Sequence, residues 1–183
     1  MVNNEMRSFE DEDMKIVSNV SEEEETSYGD IAAIAFKLQL ESGNIEKAKH
    51  LGSLVANKIV AAPFIEKVSK QKVILVRFCV TNFISVLLQD ETLVHIAVDS
   101  FESIVSEKFG IDPDDDMLSE MYTVFLIAAR EKINVAQHIA QTYSRFCTSK
   151  EDALNDALGI YNFCNDTVSS IIKDLNFVDI RSV

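Results

Sequence analysis

The sequence predicts an all-α fold: a six-helix bundle in which helical hairpins surround a central apolar helix. The chain has 183 residues but only five Gly and two Pro, too few for the turns of a many-stranded sheet. Apolar residues recur at i, i+3, i+4 and i+7 along most of the chain, which is the period of an amphipathic helix. Capping residues, Gly and Pro divide this pattern into segments of ordinary helix length.

Charge separates a tail from a single domain. Residues 1–26 hold nine acidic and two basic side chains and few apolar ones, so we expect a flexible acidic tail there. Residues 27–183 have the length and the apolar content of one helical domain. Within that domain residues 27–89 carry a charge of +4 and residues 90–131 a charge of −9, so the domain is electrically polarised.

The first two helices are predicted to form a hairpin that turns at Gly43, with Asn44 able to cap the second helix. Helix one is expected to turn one apolar face inward (Ile31, Ile34, Ala35 and Leu38). Helix two does the same with a longer face (Ile45, Ala48, Leu51, Val55, Ile59 and Ala62). Gly52 lies in the middle of helix two, where it costs about 1 kcal/mol relative to Ala. We therefore expect another backbone to approach closely at Gly52.

The central helix is predicted over residues 64–89, after a break at Pro63. Its polar residues Arg77, Thr81 and Ser85 are spaced four apart, so they align in one narrow stripe and the rest of the girth is apolar. The apolar run from Val73 to Leu88 is shorter than the ~20 residues that a bilayer requires and contains Arg77. We expect a buried helix and no membrane span.

Three further helices complete the prediction. Helix four, about 91–109, is expected to point His95, Asp99, Glu102 and Ser106 outward. Helix five starts at Asp112-Pro113 and continues to Cys147, with a bend near residues 130–134, because no Gly or Pro interrupts it. Helix six follows Thr148 and reaches nearly to residue 175.

Composition and missing motifs exclude several classes of function. The formal charge of −13 would repel a phosphate backbone, so we expect no nucleic-acid partner. Glycine-rich phosphate loops, serine-nucleophile motifs and Glu-x-x-His pairs do not occur, and we expect no cofactor and no metal. Cys79, Cys147 and Cys164 have no C-x-x-C spacing and lie in apolar helical runs, which favours reduced thiols and a cytoplasmic protein.

Two polar groups are candidate sites with ordinary structural alternatives. His95 and Asp99 are four residues apart, a spacing that suits an acid–base pair and equally a solvated surface pair. Asp112, Asp114 and Asp116 match the first three donors of an EF-hand loop, but Met117 and Thr123 replace its Gly and its closing Glu. A weak cation site and simple capping of helix five are both open, and capping explains these acids without a metal.

A basic stretch stands out in this acidic chain. It consists of Lys58, Lys67, Lys70, Lys72 and Arg77. These side chains are candidates to contact an anion, an acidic partner or the acidic tail, and a solvated helix face is the alternative.

The leading functional hypothesis is a non-catalytic interaction or regulatory module that binds another protein or a second copy of itself through a helix face. The first alternative is a sensor that binds a small molecule or an anion in a pocket between helices three, four and five, read by Arg77, His95 or Tyr122. An enzyme that uses His95 and Asp99 is the least supported hypothesis.

Overall fold

A computed structural model describes residues 29, 31–65, 69–88, 90–110, 116–131 and 133–179. These residues form helices and turns and contain no strand, which confirms the all-α class. The acidic tail predicted for residues 1–26 lies outside the described residues.

The described residues form seven α-helices. In chain order they are α1 (31–41), α2 (Asn44–Val60), α3 (Lys70–Leu88), α4 (Glu91–Phe109), α5 (Asp116–Ala129), α6 (Val135–Ser144) and α7 (Lys150–Leu175), with a short 3-10 turn at Pro63–Ile65. The predicted number of six is wrong because the predicted fifth helix is two helices. Helix α5 ends at Ala129, and Asn134 takes a left-handed conformation (φ 55°) directly before α6. Asn tolerates this conformation better than most residues, so no Gly or Pro is needed for the break.

Helix α3 is buried along half its length. All eight residues of the range 73–80 are buried, and the helix packs against α7, α4 and α5. By length and composition alone α3 could also cross a membrane, with a mean hydropathy of 1.6. That is weak evidence, because the core helix of a soluble protein has the same composition and 56% of this window is buried within the protein.

Helices α2 and α4 make the closest packed pair. A Cβ atom on Gly52 would overlap the carbonyl oxygen of Ala97 and would lie 2.8 Å from the amide nitrogen of Phe101. This confirms the expected close approach at Gly52. The predicted inward face of helix two is also confirmed, since all six predicted residues are buried, although Ala62 lies two residues past the end of α2.

Helix α1 differs from its prediction. Ile31 and Ile34, expected to face inward, are each 60% exposed, whereas Gln39 is buried. The spacing of apolar residues correctly predicts a helix in α1. Residues 31–34 are exposed, however, and buried or half-buried residues begin only at Ala35. The apolar residues before Ala35 therefore extend past the core.

Candidate functional site

A cavity of about 370 Å³ lies where α1, the end of α3, the start of α4 and the end of α7 meet. Its wall is mainly apolar and includes part of the segment that follows α7. The lining residues are Ala35, Gln39, Leu87, Leu88, Asp90, Leu93, Ile172, Phe177, Val178 and Asp179. A concave apolar space with a few polar groups is the usual form of a binding site.

A chain of hydrogen bonds between side chains runs along one side of this cavity. Asp90 caps α4, because its Oδ1 accepts from the backbone N–H of Leu93 at 3.0 Å. The Oδ2 of Asp90 accepts from Nε2 of Gln39 at 2.7 Å, and Oε1 of Gln39 accepts from Nδ2 of Asn44 at 2.6 Å. Gln39 and Asn44 are both buried, so these bonds satisfy amide groups that could not reach water.

Asn44 holds the segment Asn176–Asp179, called here the 176–179 segment. The backbone N–H of Val178 donates to Oδ1 of Asn44 at 2.9 Å, and Nδ2 of Asn44 donates to the carbonyl oxygen of Val178 at 2.8 Å. Lys47, one turn further along α2, donates from Nζ to the carbonyl oxygen of Asn176 at 2.8 Å. The 176–179 segment is thus fixed to the first turn of α2.

Large apolar side chains are exposed at the same end of the protein. On α1 the exposed fractions are 60% for Ile31 and Ile34, 49% for Phe36 and 55% for Leu40. At the end of α3, Val86 is 60% exposed, and Leu87, which lines the cavity, is 40% exposed. Apolar residues in water at one end of a protein are typical of a contact surface.

A second polar group lies inside the protein between α3 and α4. Arg77, 8% exposed, places its Nε 2.6 Å from Oε2 of Glu102. These two atoms are close but are not aligned as a hydrogen bond, and Nη1 of Arg77 is also buried without a hydrogen-bond partner. Burial raises the pKa of Glu102, and the positive charge of Arg77 offsets part of that rise.

Tyr122 of α5 lies near this ion pair. Its hydroxyl donates to Oγ1 of Thr81 at 3.5 Å, a long hydrogen bond. Burial is the main cause that raises the pKa of Tyr122 to about 12, so the phenol stays protonated near neutral pH. Arg77 and Tyr122, both named for the sensor hypothesis, thus lie close enough for the charge of Arg77 to act on the phenol. The third residue named for it, His95, is exposed on α4.

The structure distributes the basic stretch over different environments. Lys58 and Lys70 are exposed, and Lys67 lies outside the described residues. Lys72 binds Asp156 of α7 at 2.7 Å and the carbonyl oxygen of Phe64 at 3.4 Å. Lys72 and Arg77 thus both have carboxylate partners within the protein, since Arg77 pairs with Glu102.

The other sequence candidates do not converge on a described site. His95 and Asp99 are both exposed on α4, and the structure shows neither a hydrogen bond nor an ion pair between these two described residues. Asp112 and Asp114 lie outside the described residues, and only the backbone of Asp116 is described, at the start of α5. In the part of the chain that is described, no three His, Cys, Asp or Glu side chains are grouped so that they could hold a metal ion.

The cysteines are free thiols in different settings. Cys79 and Cys164 are buried, and Cys147 is partly exposed. Burial raises the pKa of Cys79 well above its ordinary value and that of Cys164 to about 12. Neither buried thiol is therefore a ready nucleophile at neutral pH.

Sequence reasoning missed the most connected polar residues. Glu102 was expected to face outward, yet it lies against Arg77. The sequence did contain an indication of this contact, because an arginine inside an apolar helix requires an acidic partner. Asn44 was expected to cap α2, but Gly43 precedes the first turn and no side chain caps it, while the side chain of Asn44 bonds Gln39 and Val178. Gln39 and Asn44 gave no local signal of these contacts, since their partners Asp90 and Val178 lie 51 and 134 residues away.

Comparisons with known proteins identify no relative: no protein-family model, curated protein or solved structure matches this chain.

Proposed function

We propose that this chain is a non-catalytic module that binds another protein, or a second copy of itself, through the end of the molecule formed by α1 and the cavity. The observation that carries the proposal is the exposure of Ile31, Ile34, Phe36 and Leu40 on α1. Burying an aliphatic or aromatic side chain of this size yields about 1.5–3 kcal/mol. A helix that leaves four of them in water gains stability when a partner covers it.

The proposal includes the finer architecture. The helices form one bundle around α3, preceded by an acidic tail over residues 1–26, in a cytoplasmic protein whose three cysteines stay reduced. Support comes from the packing of α3 against three other helices and from the free state of Cys79, Cys147 and Cys164.

A matched pair of substitutions tests the contact surface. Ile34→Glu places a charge on the exposed face of α1, and Leu126→Glu places one on α5, where the side chain is similarly exposed (50%). Both variants should melt within a few degrees of the wild type, because neither side chain is in the core. Only Ile34→Glu should abolish self-association, or the binding of proteins that the wild type retains from its host. Equal binding by the wild type and both variants would contradict the proposal.

Salt separates the two ways in which copies could associate. A dimer held by apolar side chains of α1 persists between 50 mM and 500 mM salt, whereas pairing of the basic segment 27–89 with the acidic segment 90–131 weakens at high salt. Sedimentation at both salt concentrations distinguishes these modes. If the protein is a monomer at both salt concentrations, self-association is excluded and the proposed partner is a different protein.

One other candidate is a sensor of a small molecule or an anion. The sequence placed its pocket between helices three, four and five, whereas the cavity that favours it lies among α1, α3, α4 and α7 and is not lined by Arg77, His95 or Tyr122. Its volume of about 370 Å³ lies in the range of small-ligand sites, and Gln39 and Asp90 supply polar groups in an apolar wall. A thermal-shift panel of metabolites, lipids and anions tests this candidate, because a ligand that binds only the folded state raises Tm. Ligands that stabilise the wild type but not a Leu88→Trp variant, which fills the cavity, would favour the sensor.

An enzyme based on His95 and Asp99 has the least support, since these two exposed residues make neither a hydrogen bond nor an ion pair with each other. The test is His95→Ala in a preparation that shows an enzymatic activity. An activity that is unchanged in His95→Ala would contradict the enzyme hypothesis.

A further inference from the structure

The 176–179 segment is bound through its main chain. Asn44 and Lys47 bind three of its main-chain groups, the carbonyl oxygen of Asn176 and both the N–H and the carbonyl oxygen of Val178. The side chain of Val178 takes no part in them and the residue is 44% exposed. Any extended peptide carries the same main-chain groups, so this part of the protein has the chemistry of a peptide-binding site.

The groups that bind the main chain are held in place before any peptide arrives. Asn44 is fully buried, and its amide is oriented by Gln39, which is in turn held by Asp90. An amide has two N–H donors, and Nδ2 of Asn44 uses one for Gln39 and the other for Val178. If the 176–179 segment leaves, one buried donor and the buried acceptor Oδ1 lose their partners. This cost favours a replacement peptide at the same atoms.

The segment also forms one wall of the cavity. Phe177 packs partly buried against the core, and Phe177, Val178 and Asp179 line the cavity opposite α1 and α3. Asn176 ends α7 in a left-handed conformation (φ 47°), so the chain leaves the helix abruptly. Displacement of this short segment would require no change in α7 and would extend the cavity into an open groove.

We propose that the first turn of α2 and the adjoining cavity form a binding site for an extended peptide of a partner protein, and that the 176–179 segment occupies half of this site as an autoinhibitory contact. The partner presents its main chain to Asn44 and Lys47, an aromatic side chain where Phe177 lies, and a further apolar side chain to the cavity. This inference rests on the proposed function, because it specifies the partner that the same end of the molecule binds.

The experiment uses the chain's own sequence as the probe. A fluorescein-labelled, amidated peptide of residues 174–183 is titrated into the full-length protein and its anisotropy is measured. Val178→Pro removes from the protein the N–H that pairs with Asn44, while Val178→Ala keeps that N–H and is the matched control. The peptide should bind Val178→Pro about ten-fold more tightly than it binds the wild type or Val178→Ala, because the competing segment is weakened.

A second pair of measurements locates the peptide on the protein. In the Val178→Pro background, Lys47→Ala should weaken peptide binding several-fold, whereas Lys49→Ala, whose Nζ binds Glu46 instead, should not. A peptide that is N-methylated at the position of Val178 should bind at least ten-fold more weakly, without any change to the protein. Asn44→Ala serves as a further test only if its melting curve shows a folded protein.

Two results would overturn the inference: equal affinity of the peptide for the wild type and Val178→Pro, or equal affinity of the methylated and unmethylated peptides. Both are independent of Ile34. Loss of partner binding in Ile34→Glu with no peptide binding would retain the proposed function and remove this site. Peptide binding together with unchanged partner binding in Ile34→Glu would retain this site and remove the proposed function.

Discussion

Gly52 sets how close α2 and α4 can lie, because no other residue fits between their backbones. A methyl group on Gly52 would overlap the carbonyl oxygen of Ala97, which is main chain and cannot rotate away. Gly159 on α7 is the matched control, since a Cβ there meets nothing within 4 Å. Both glycines are helical, so their intrinsic cost relative to Ala is the same.

Gly52→Ala should lower the free energy of unfolding by about 3 kcal/mol, as overpacking of a tight contact does. Gly159→Ala should raise it by up to about 1 kcal/mol, because Ala favours a helix and restricts the unfolded chain. Urea unfolding of both variants measures the difference. If the two substitutions changed the free energy of unfolding in the same direction, the described close contact of α2 and α4 would be contradicted.

Arg77 and Glu102 form the other residue-scale feature with a measurable consequence. In Arg77→Met the carboxylate of Glu102 loses the partner that lowers its pKa, and burial alone remains to raise it. A raised carboxyl pKa means that stability is present below the ordinary value of 4.5 and is lost as pH rises through the folded-state value. The deficit of Arg77→Met should therefore grow with pH.

We expect Arg77→Met to lose about 3 kcal/mol at pH 7.5 and clearly less at pH 4.5. The double variant Arg77→Met/Glu102→Leu removes both charges and should recover most of the loss at pH 7.5. Urea unfolding at the two pH values checks both expectations. A deficit that is independent of pH would show that Arg77 stabilises by packing rather than by pairing with Glu102.

At the scale of the element, Asp90 joins the start of α4 to α1. It caps α4 through Leu93 and accepts a second hydrogen bond from the buried amide of Gln39. Asp90→Ala should cost about 1.5–5 kcal/mol, the sum of a lost cap and an unpaired buried donor. Thr92→Ala, an exposed position two residues later, should change stability by less than about 0.5 kcal/mol. Thermal unfolding compares the two, and equal losses would contradict the role of Asp90.

The division of the predicted fifth helix is also decided at this scale. Helices α5 and α6 have no Gly or Pro between them, and Asn134 changes the direction by adopting a left-handed conformation. Asn at such a position is compatible with a helix or with a turn, so local sequence leaves both open. Packing of α6 against α5 and α7 favours the turn.

At the scale of the molecule, the acidic residues 1–26 precede a domain whose core is drawn from α2 to α7. Deletion of residues 1–26 should leave Tm within a few degrees, because the tail proposed for these residues would contribute no packed area to stability. Thermal unfolding of the full chain and the shortened chain measures this. A fall of ten degrees or more would show that the tail docks on the domain, and charge reversal at Lys58 and Lys70 would then test the basic stretch as its contact.

The sequence by itself determined the helical class, the inward face of α2 and the tight contact at Gly52, because helical period and the cost of a mid-helix glycine are local properties. It did not determine that Ile31 and Ile34 face water, that Glu102 turns toward Arg77, or that Asn44 binds the main chain of Val178. The contacts of Glu102 and Asn44 depend on partners 25 and 134 residues away, and the exposure of Ile31 and Ile34 depends on where α1 lies relative to the core. Only the packing of the helices decides these arrangements.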